Sequence, residues 1–325
     1  MLEVSFDHGI HLPAEGVWLD PGRSKKLAFV SHAHSDHVGR HATTIATPLT
    51  LELMKVRMGK LTAGLQALPY GETRMWDEFS MRLLPAGHVL GSAQCLVESQ
   101  AGTLLYSGDF KLRPGASAEA PEVCHAETLI METTFGLPRY VFPPAAEVAA
   151  DILQFCHIAI EDRAVPVLLA YSLGKAQEVL SILSSGGMRT MVHKSIAALL
   201  PVYRSAGIHF SGCLEWNLGE ARDCVVLCPP NTAGVTESLA SRRTAVITGW
   251  ALDSSAKYRM KCDAAFPLSD HAGYDDLLAY VEKVAPRRVF TVHGFATEFA
   301  RDLRRRGVEA WTLKGVDQLD LPLGV

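Results

Sequence analysis

Residues 31–37 read Ser-His-Ala-His-Ser-Asp-His, directly after the apolar run 27–30. Packing does not explain three histidines and an aspartate within six residues. On an extended or turning segment, residues two apart point the same way, so His32 and His34 share a direction. Asp36 and His37 then face the other side of the turn, toward a second ion. Imidazole with carboxylate is the ligand set of zinc and similar borderline metals. Such a cluster needs partners from elsewhere in the chain. Two suitable residues follow in order: His88 in Gly87-His88, after the apolar run 81–84, and Asp109 in Gly108-Asp109, after the run 104–106. Each ends a strand-like run beside a glycine that lets the backbone approach closely.

The rest of the sequence supports a packed globular protein. Of its 325 residues 48% are hydrophobic and 20% charged, which excludes a disordered chain. No run approaches 18 apolar residues, so no membrane span is expected, and the start MLEVSFDHGI lacks the basic and apolar regions of a secretory signal. Seven cysteines with no C-x-x-C pair suit a reduced, cytoplasmic setting. A net charge of −4 argues against indiscriminate coating of nucleic acid.

The first 110 residues read as β-rich, with helical character at 50–58. From residue 145 the texture changes: a helix at 145–160, a strand at 165–170 and a helix opening at Ser172-Leu173-Gly174-Lys175. Strand 190–192, helix 195–206, strand 221–228, helix 236–242 and strand 244–248 follow. This alternation predicts a partly parallel sheet. After residue 265 come a His-bearing turn, helix 274–284, strand 289–292 with His293, helix 297–306 and strand 310–313. Histidines at both ends with an α/β block between them predict one catalytic domain, 1–160 and 261–325, split by an insert at 161–260.

The order SHAHSDHVG, AGHVLGSAQ, YSGDF resembles the metallo-β-lactamase superfamily. METTFG at 131–136 is similar to the acidic motif of the β-CASP nucleic-acid nucleases, FPLSDHA at 266–272 to their second motif, and TVHG at 291–294 to their third. The likeness spans roughly residues 15–315. At this size it most resembles the bacterial ligase-associated DNA exonucleases, with kinship to Artemis-type repair nucleases and to pre-mRNA 3′-end endonucleases. Artemis-type enzymes usually lack the third-motif histidine; His293 pulls this site toward a fully dinuclear arrangement.

The resemblance implies an α/β fold: a metallo-β-lactamase αββα sandwich with a smaller inserted β-CASP-like domain. It implies that His32, His34 and His88 bind one ion, that Asp36, His37 and His293 bind the other, and that Asp109 bridges them. Asp20, in WLDPG, either supports the ligand loop or simply forms a turn. Two divalent ions are expected, with zinc favoured by the ligands and manganese or iron as alternatives. With two ions, Asp36 among their ligands, a water becomes acidic enough to supply hydroxide at neutral pH. His271 is the candidate general acid, because imidazole titrates near working pH, and Glu132 the residue that orients it.

For substrate contacts the candidates are Ser107, Lys111 and Arg113 around Asp109, and Ser172, Gly174 and Lys175 at the strand-to-helix junction. Arg242, Arg243, Lys257, Arg259 and Lys261 lie near the insert's return. Trp250 is either a stacking platform or a core residue, and Arg304–Arg306 a solvated helix face. The expected activity is phosphodiester hydrolysis on DNA, by an exonuclease of repair or end processing. An RNA-processing nuclease and a small-molecule metallohydrolase are the alternatives. Association with a DNA ligase or helicase is an expectation of the resemblance alone.

Overall fold

The computed structural model describes residues 2–59 and 64–313. The chain divides into two compact units, one made of the segment up to Val141 and the segment from His271, the other of Phe142–Asp270. Among the described residues the strands form three sheets.

Two of these sheets belong to the first unit. One has six strands in chain order, from Ser5–Phe6 to Leu65–Ala67. The other has seven, in the order Glu309–Thr312, Arg288–Val292, Thr128–Glu132, Gly102–Tyr106, Ala93–Ser99, Phe79–Pro85 and Thr73–Met75. Alternate side chains of the second sheet go to opposite faces, as a period of two requires. Leu104, Tyr106 and Ile130 join Leu19, Phe29 and Ile45 of the first sheet in one core cluster. Leu105, Leu129 and Met131 pack instead with Leu277, Tyr280 and Val281 of helix Tyr274–Val284 and with Phe299 and Leu303 of helix Ala296–Arg305. With both faces covered, Thr128–Glu132 is buried throughout. Helix Pro48–Met58 contacts Leu65–Ala67 of the first sheet. The layers are those of an αββα sandwich.

The second unit holds a six-stranded sheet, parallel throughout, ordered Cys213–Leu214, Thr190–Val192, Val225–Cys228, Val165–Leu169, Arg242–Ile247 and Ala264–Phe266. On one face Leu168 and Ala245 pack against helices Ala145–Glu161 and Lys175–Ser185 through Ile152, Cys156, Val179 and Leu183. The other face buries Val167, Leu169 and Val246.

These contacts move the limits expected at 160/161 and 260/261. Helix Ala145–Glu161 buries its apolar stripe in the insert's core, and Ala264–Phe266 extends the insert's sheet. Periodicity could not assign either, because it shows that a face is buried and not against what. Two expected helices also change. The one at 195–206 is two short helices, Lys194–Ala197 and Leu200–Ser205, with Pro201 in the first turn of the second. The one at 236–242 is replaced by the 3-10 segment Pro230–Ser238, after which the strand Arg242–Ile247 begins.

Lys175 shows a further correction. Its side chain is 2% exposed, and Nζ donates to Leu268 O at 2.8 Å and to Asp270 Oδ1 at 2.7 Å. It is a buried cation whose partners both lie in the insert. Breaking a buried pair strands the remaining charge, at a cost of about 3–5 kcal/mol. Lys175→Met should therefore lose about that much stability in urea unfolding, and Lys175→Met with Asp270→Asn much less. Equal losses in the two variants would show that a stranded Asp270 charge is not what costs the stability.

Candidate metal centre

Strand direction brings the candidate ligands to one edge of the sandwich. Gly102–Tyr106, Thr128–Glu132 and Arg288–Val292 are adjacent and parallel, and Tyr106, Ile130 and Phe290 lie level. Asp109, Glu132 and His293 therefore emerge side by side at the carboxyl ends. His88 follows Phe79–Pro85, which runs the same way because Ala93–Ser99 is antiparallel to both neighbours. In the other sheet the parallel strands Val17–Leu19 and Leu27–Phe29 deliver Asp20 and the Ser31–His37 turn. Gly108 makes the close approach possible: its φ is 55°, and a Cβ there would come within 2.7 Å of Ser31 Cβ.

Ligand atoms of His32, His34, His88 and Asp109 all lie within 4.8 Å of one another. His34 Nδ1 is 3.0 Å from His32 Nε2 and 3.2 Å from His88 Nε2. Asp109 Oδ2 is 3.6 Å from His32 Nε2, 3.4 Å from His37 Nε2 and 3.9 Å from His88 Nε2. Asp36 stands further out, 63% exposed, with Oδ2 3.7 Å from His37 Nε2. The His293 ring centroid is 6.0 Å from that of His37.

The hydrogen bonds behind these groups fix which ring nitrogens face inward. Ser31 Oγ donates to Asp20 Oδ2 at 2.5 Å, so it accepts from His32 Nδ1 at 2.9 Å and leaves His32 Nε2 with its lone pair. Asp20 Oδ2 also accepts from His37 Nδ1 at 3.0 Å and from the Tyr106 hydroxyl at 2.9 Å, and Oδ1 accepts from Ser31 N at 2.7 Å. Support of this kind orients metal-ligating histidines. Ser31 and Tyr106 were not among the expected residues. Ser31 adjoins the motif, but Tyr106 reaches Asp20 from 86 residues away and carries no local signal.

Burial, with His37, His88 and His34 nearby, holds His32 well below the usual imidazole range, hence in the neutral form that ligands require. Burial also lowers His293. Burial acts against charge on His37 too, but the Asp109 and Asp20 carboxylates outweigh it and hold His37 well above its ordinary value. Burial would raise Asp109, yet His37 above all, then His271 and His32, keep its carboxyl well below the usual range. A buried anion ringed by imidazole nitrogens suits a divalent cation, and the donor set of His32, His34, His88 and Asp109 fits one.

Beside this cluster His271 Nδ1 lies 2.9 Å from Glu132 Oε1, while Glu132 Oε2 accepts from Thr134 N at 2.8 Å. The His271 ring centroid is 4.6 Å from that of His88. Asp109, Glu132 and His271 also bring one ligand atom each within 4.8 Å.

The expected substrate contacts are placed differently. Ser107 is fully buried; its hydroxyl donates to Gly108 O and accepts from Glu132 N, so it serves the loop. Lys111 is buried, and Arg113 pairs with Asp275 at 2.8 Å and Asp276 at 3.0 Å. In the insert, Ser172 Oγ is 3.0 Å from Ser195 Oγ, and Gly174 N donates to Gln177 Oε1 at 2.7 Å. Arg243 pairs with Asp162 and Arg259 with Asp253, while Trp250 is half-buried in a 3-10 turn. Sequence could name these residue types but not their occupied partners.

Residues 257–313 match a family described as "Zn-dependent metallo-hydrolase RNA specificity domain". A protein named "Probable DNA ligase" from Opitutus terrae is 50% identical over 323 residues, covering 98% of this chain and 32% of that protein. "DNA cross-link repair 1A protein" of Gallus gallus is 23% identical over 312 residues, covering 88% and 32%. "5' exonuclease Apollo" of Gallus gallus is 30% identical over 177 residues, covering 52% and 38%. The chain spans about a third of the length of these relatives. Its sandwich, its parallel-sheet insert and its histidine–aspartate cluster accord with these likenesses, and the chain belongs to the metallo-β-lactamase superfamily, in its β-CASP branch.

Proposed function

We propose that the protein is a two-metal nuclease that hydrolyses phosphodiester bonds, with DNA as its substrate and end processing in repair as its role. The observation that carries this reading is the Glu132–His271 pair, set against the His88 face of the ligand cluster. His32, His34 and His88 would hold one ion, Asp36, His37 and His293 the other, and Asp109 both, with zinc the best fit to the donors. Such ions supply Lewis acidity and lower the pKa of water toward ~7.

The chain's own residues do the rest. His271 donates a proton from Nε2 to the departing oxygen of the cleaved strand. Glu132 accepts from Nδ1, which orients the ring and stabilises the imidazolium that carries the donated proton on Nε2, and Thr134 N holds Glu132 in turn. Asp20, with Ser31 and Tyr106, keeps His37 and the ligand turn aligned.

DNA is supported by relatives named for DNA repair and 5′ exonuclease activity, and association with a DNA ligase by the relative of that name. A second reading, RNA cleavage, is favoured by the family description over residues 257–313 and by His293 at the third motif. Seven unpaired cysteines support a cytoplasmic setting. Among the described residues no helix is long and apolar enough to cross a membrane.

The deciding assay uses 5′- and 3′-labelled single-stranded DNA and RNA with metal content measured on the same sample. Shortening of DNA that chelator abolishes and zinc or manganese restores is expected. Inert oligonucleotides under every divalent ion would overturn the reading, and faster cleavage of RNA would reverse the preference.

A further inference from the structure

We propose that Arg139 grips a backbone phosphate of the nucleic-acid substrate outside the cleaved linkage, so that tight binding needs a strand that continues past the cut. This rests on the nuclease reading above and deepens it by adding a substrate-binding residue that neither the motifs nor the ligand spacing indicate. Arg139 stands in the loop Leu137-Pro138-Arg139-Tyr140, just beyond METTFG.

Its guanidinium is seated on aromatic rings. Cζ lies 4.9 Å from the Tyr140 ring centroid and 5.6 Å from that of Phe295, and Nη2 donates to the Tyr140 hydroxyl at 3.1 Å. The two rings are themselves stacked, with centroids 5.6 Å apart. Tyr140 also meets Phe135 at 5.1 Å, and Phe135 meets His271 at 6.2 Å. Phe295 follows the candidate ligand His293 in the same turn. A row of rings thus runs from the candidate general acid and the third-motif turn out to an exposed cation.

The surrounding backbone fixes this row. Phe295 N donates to Thr133 O at 2.9 Å, and Thr133 Oγ1 to His293 O at 2.7 Å. Gly294, with φ 55°, allows the two turns to meet: a Cβ there would fall 2.4 Å from Thr134 Cα. Tyr274 N donates to Tyr140 O at 2.9 Å, which ties the loop to the head of helix Tyr274–Val284. Phe135 and Tyr140 are buried, whereas Arg139 is exposed.

The chemistry of the group selects a phosphate. Among the described residues no carboxylate pairs with Arg139, whereas Arg113, Arg243, Arg259 and Arg306 each have one. Stacking covers the face of a guanidinium and leaves N–H groups on its rim, which match two phosphate oxygens. The rings also hold the side chain, so less freedom is lost when the anion arrives. Such a contact positions a strand without reading its sequence, and only a substrate long enough to reach it gains the affinity.

The test compares the full-length wild type with Arg139→Ala and, as a control for loss of one exposed charge, Arg305→Ala. Binding of a single-stranded dodecanucleotide is read by fluorescence anisotropy on metal-stripped protein, and cleavage on zinc-loaded protein. Arg139→Ala should weaken binding and raise KM for the oligonucleotide about tenfold. The slope of log affinity against log salt should flatten by about 0.7, the value of one phosphate contact on a single strand. The ratio of kcat/KM on the oligonucleotide to that on bis(p-nitrophenyl) phosphate, which has no further phosphate, should fall about tenfold. Wild-type affinity and salt slope in Arg139→Ala, an unchanged ratio, or an equal loss in Arg305→Ala would each overturn the contact and leave the nuclease reading untouched. Oligonucleotide binding that depends on Arg139, in a zinc-loaded protein that cuts no nucleic acid, would sink the nuclease reading and keep the contact.

Discussion

Asp109→Asn is expected to lower hydrolysis of a single-stranded oligonucleotide by at least about 10³-fold and to strip bound metal from the protein. The substitution keeps the shape of the side chain and removes its charge. That charge is the anion within 4 Å of Nε2 of His32, His37 and His88 at once. Without it the rings of the ligand turn lose the buried anion at their centre that would balance a dication. Metal content by mass spectrometry after dialysis is the first readout and single-turnover cleavage the second. Retention of both at wild-type levels would mean that the cluster is not where the ions act. Asp36 offers a useful contrast. Its carboxylate is mostly exposed and stands at the margin of the cluster, so Asp36→Asn should cost less metal than Asp109→Asn.

His271→Ala is expected to lose about 10²–10⁴-fold in kcat on an oligonucleotide, the range typical of a positioned general acid. The loss should depend on the leaving group. A deoxyribose alkoxide departs poorly without a proton, whereas p-nitrophenolate departs unaided. On bis(p-nitrophenyl) phosphate the same variant should therefore be much less impaired. Glu132→Gln should show a smaller loss with the same selectivity, because an amide still meets His271 Nδ1 but no longer stabilises the imidazolium with a charge. Equal losses on both substrates would show that His271 does not deliver the proton, even if it matters for metal binding.

The sequence determined more of the site than of its surroundings. Metal ligation accepts few residue types, and each must sit where a rigid strand delivers it. His32, His34, His88 and Asp109 were thus legible as residue types that follow apolar runs, and the fold brings them together. The pairing of Glu132 with His271 was also readable, because their motifs carry the resemblance. Secondary structure was legible where both faces or one stripe is apolar, as in Thr128–Glu132 and Tyr274–Val284.

Tertiary structure alone decided the rest, because a polar side chain's task depends on partners that local sequence does not encode. Lys175 looked like a phosphate contact beside a glycine. Asp270, 95 residues away, holds its ammonium at 2.7 Å. Desolvation is the reason: a buried ammonium must be paired, and local sequence does not name the partner. The helix Ala145–Glu161 likewise shows its apolar stripe in sequence, but only the packing of Ile152 and Cys156 against the parallel sheet assigns it to the insert.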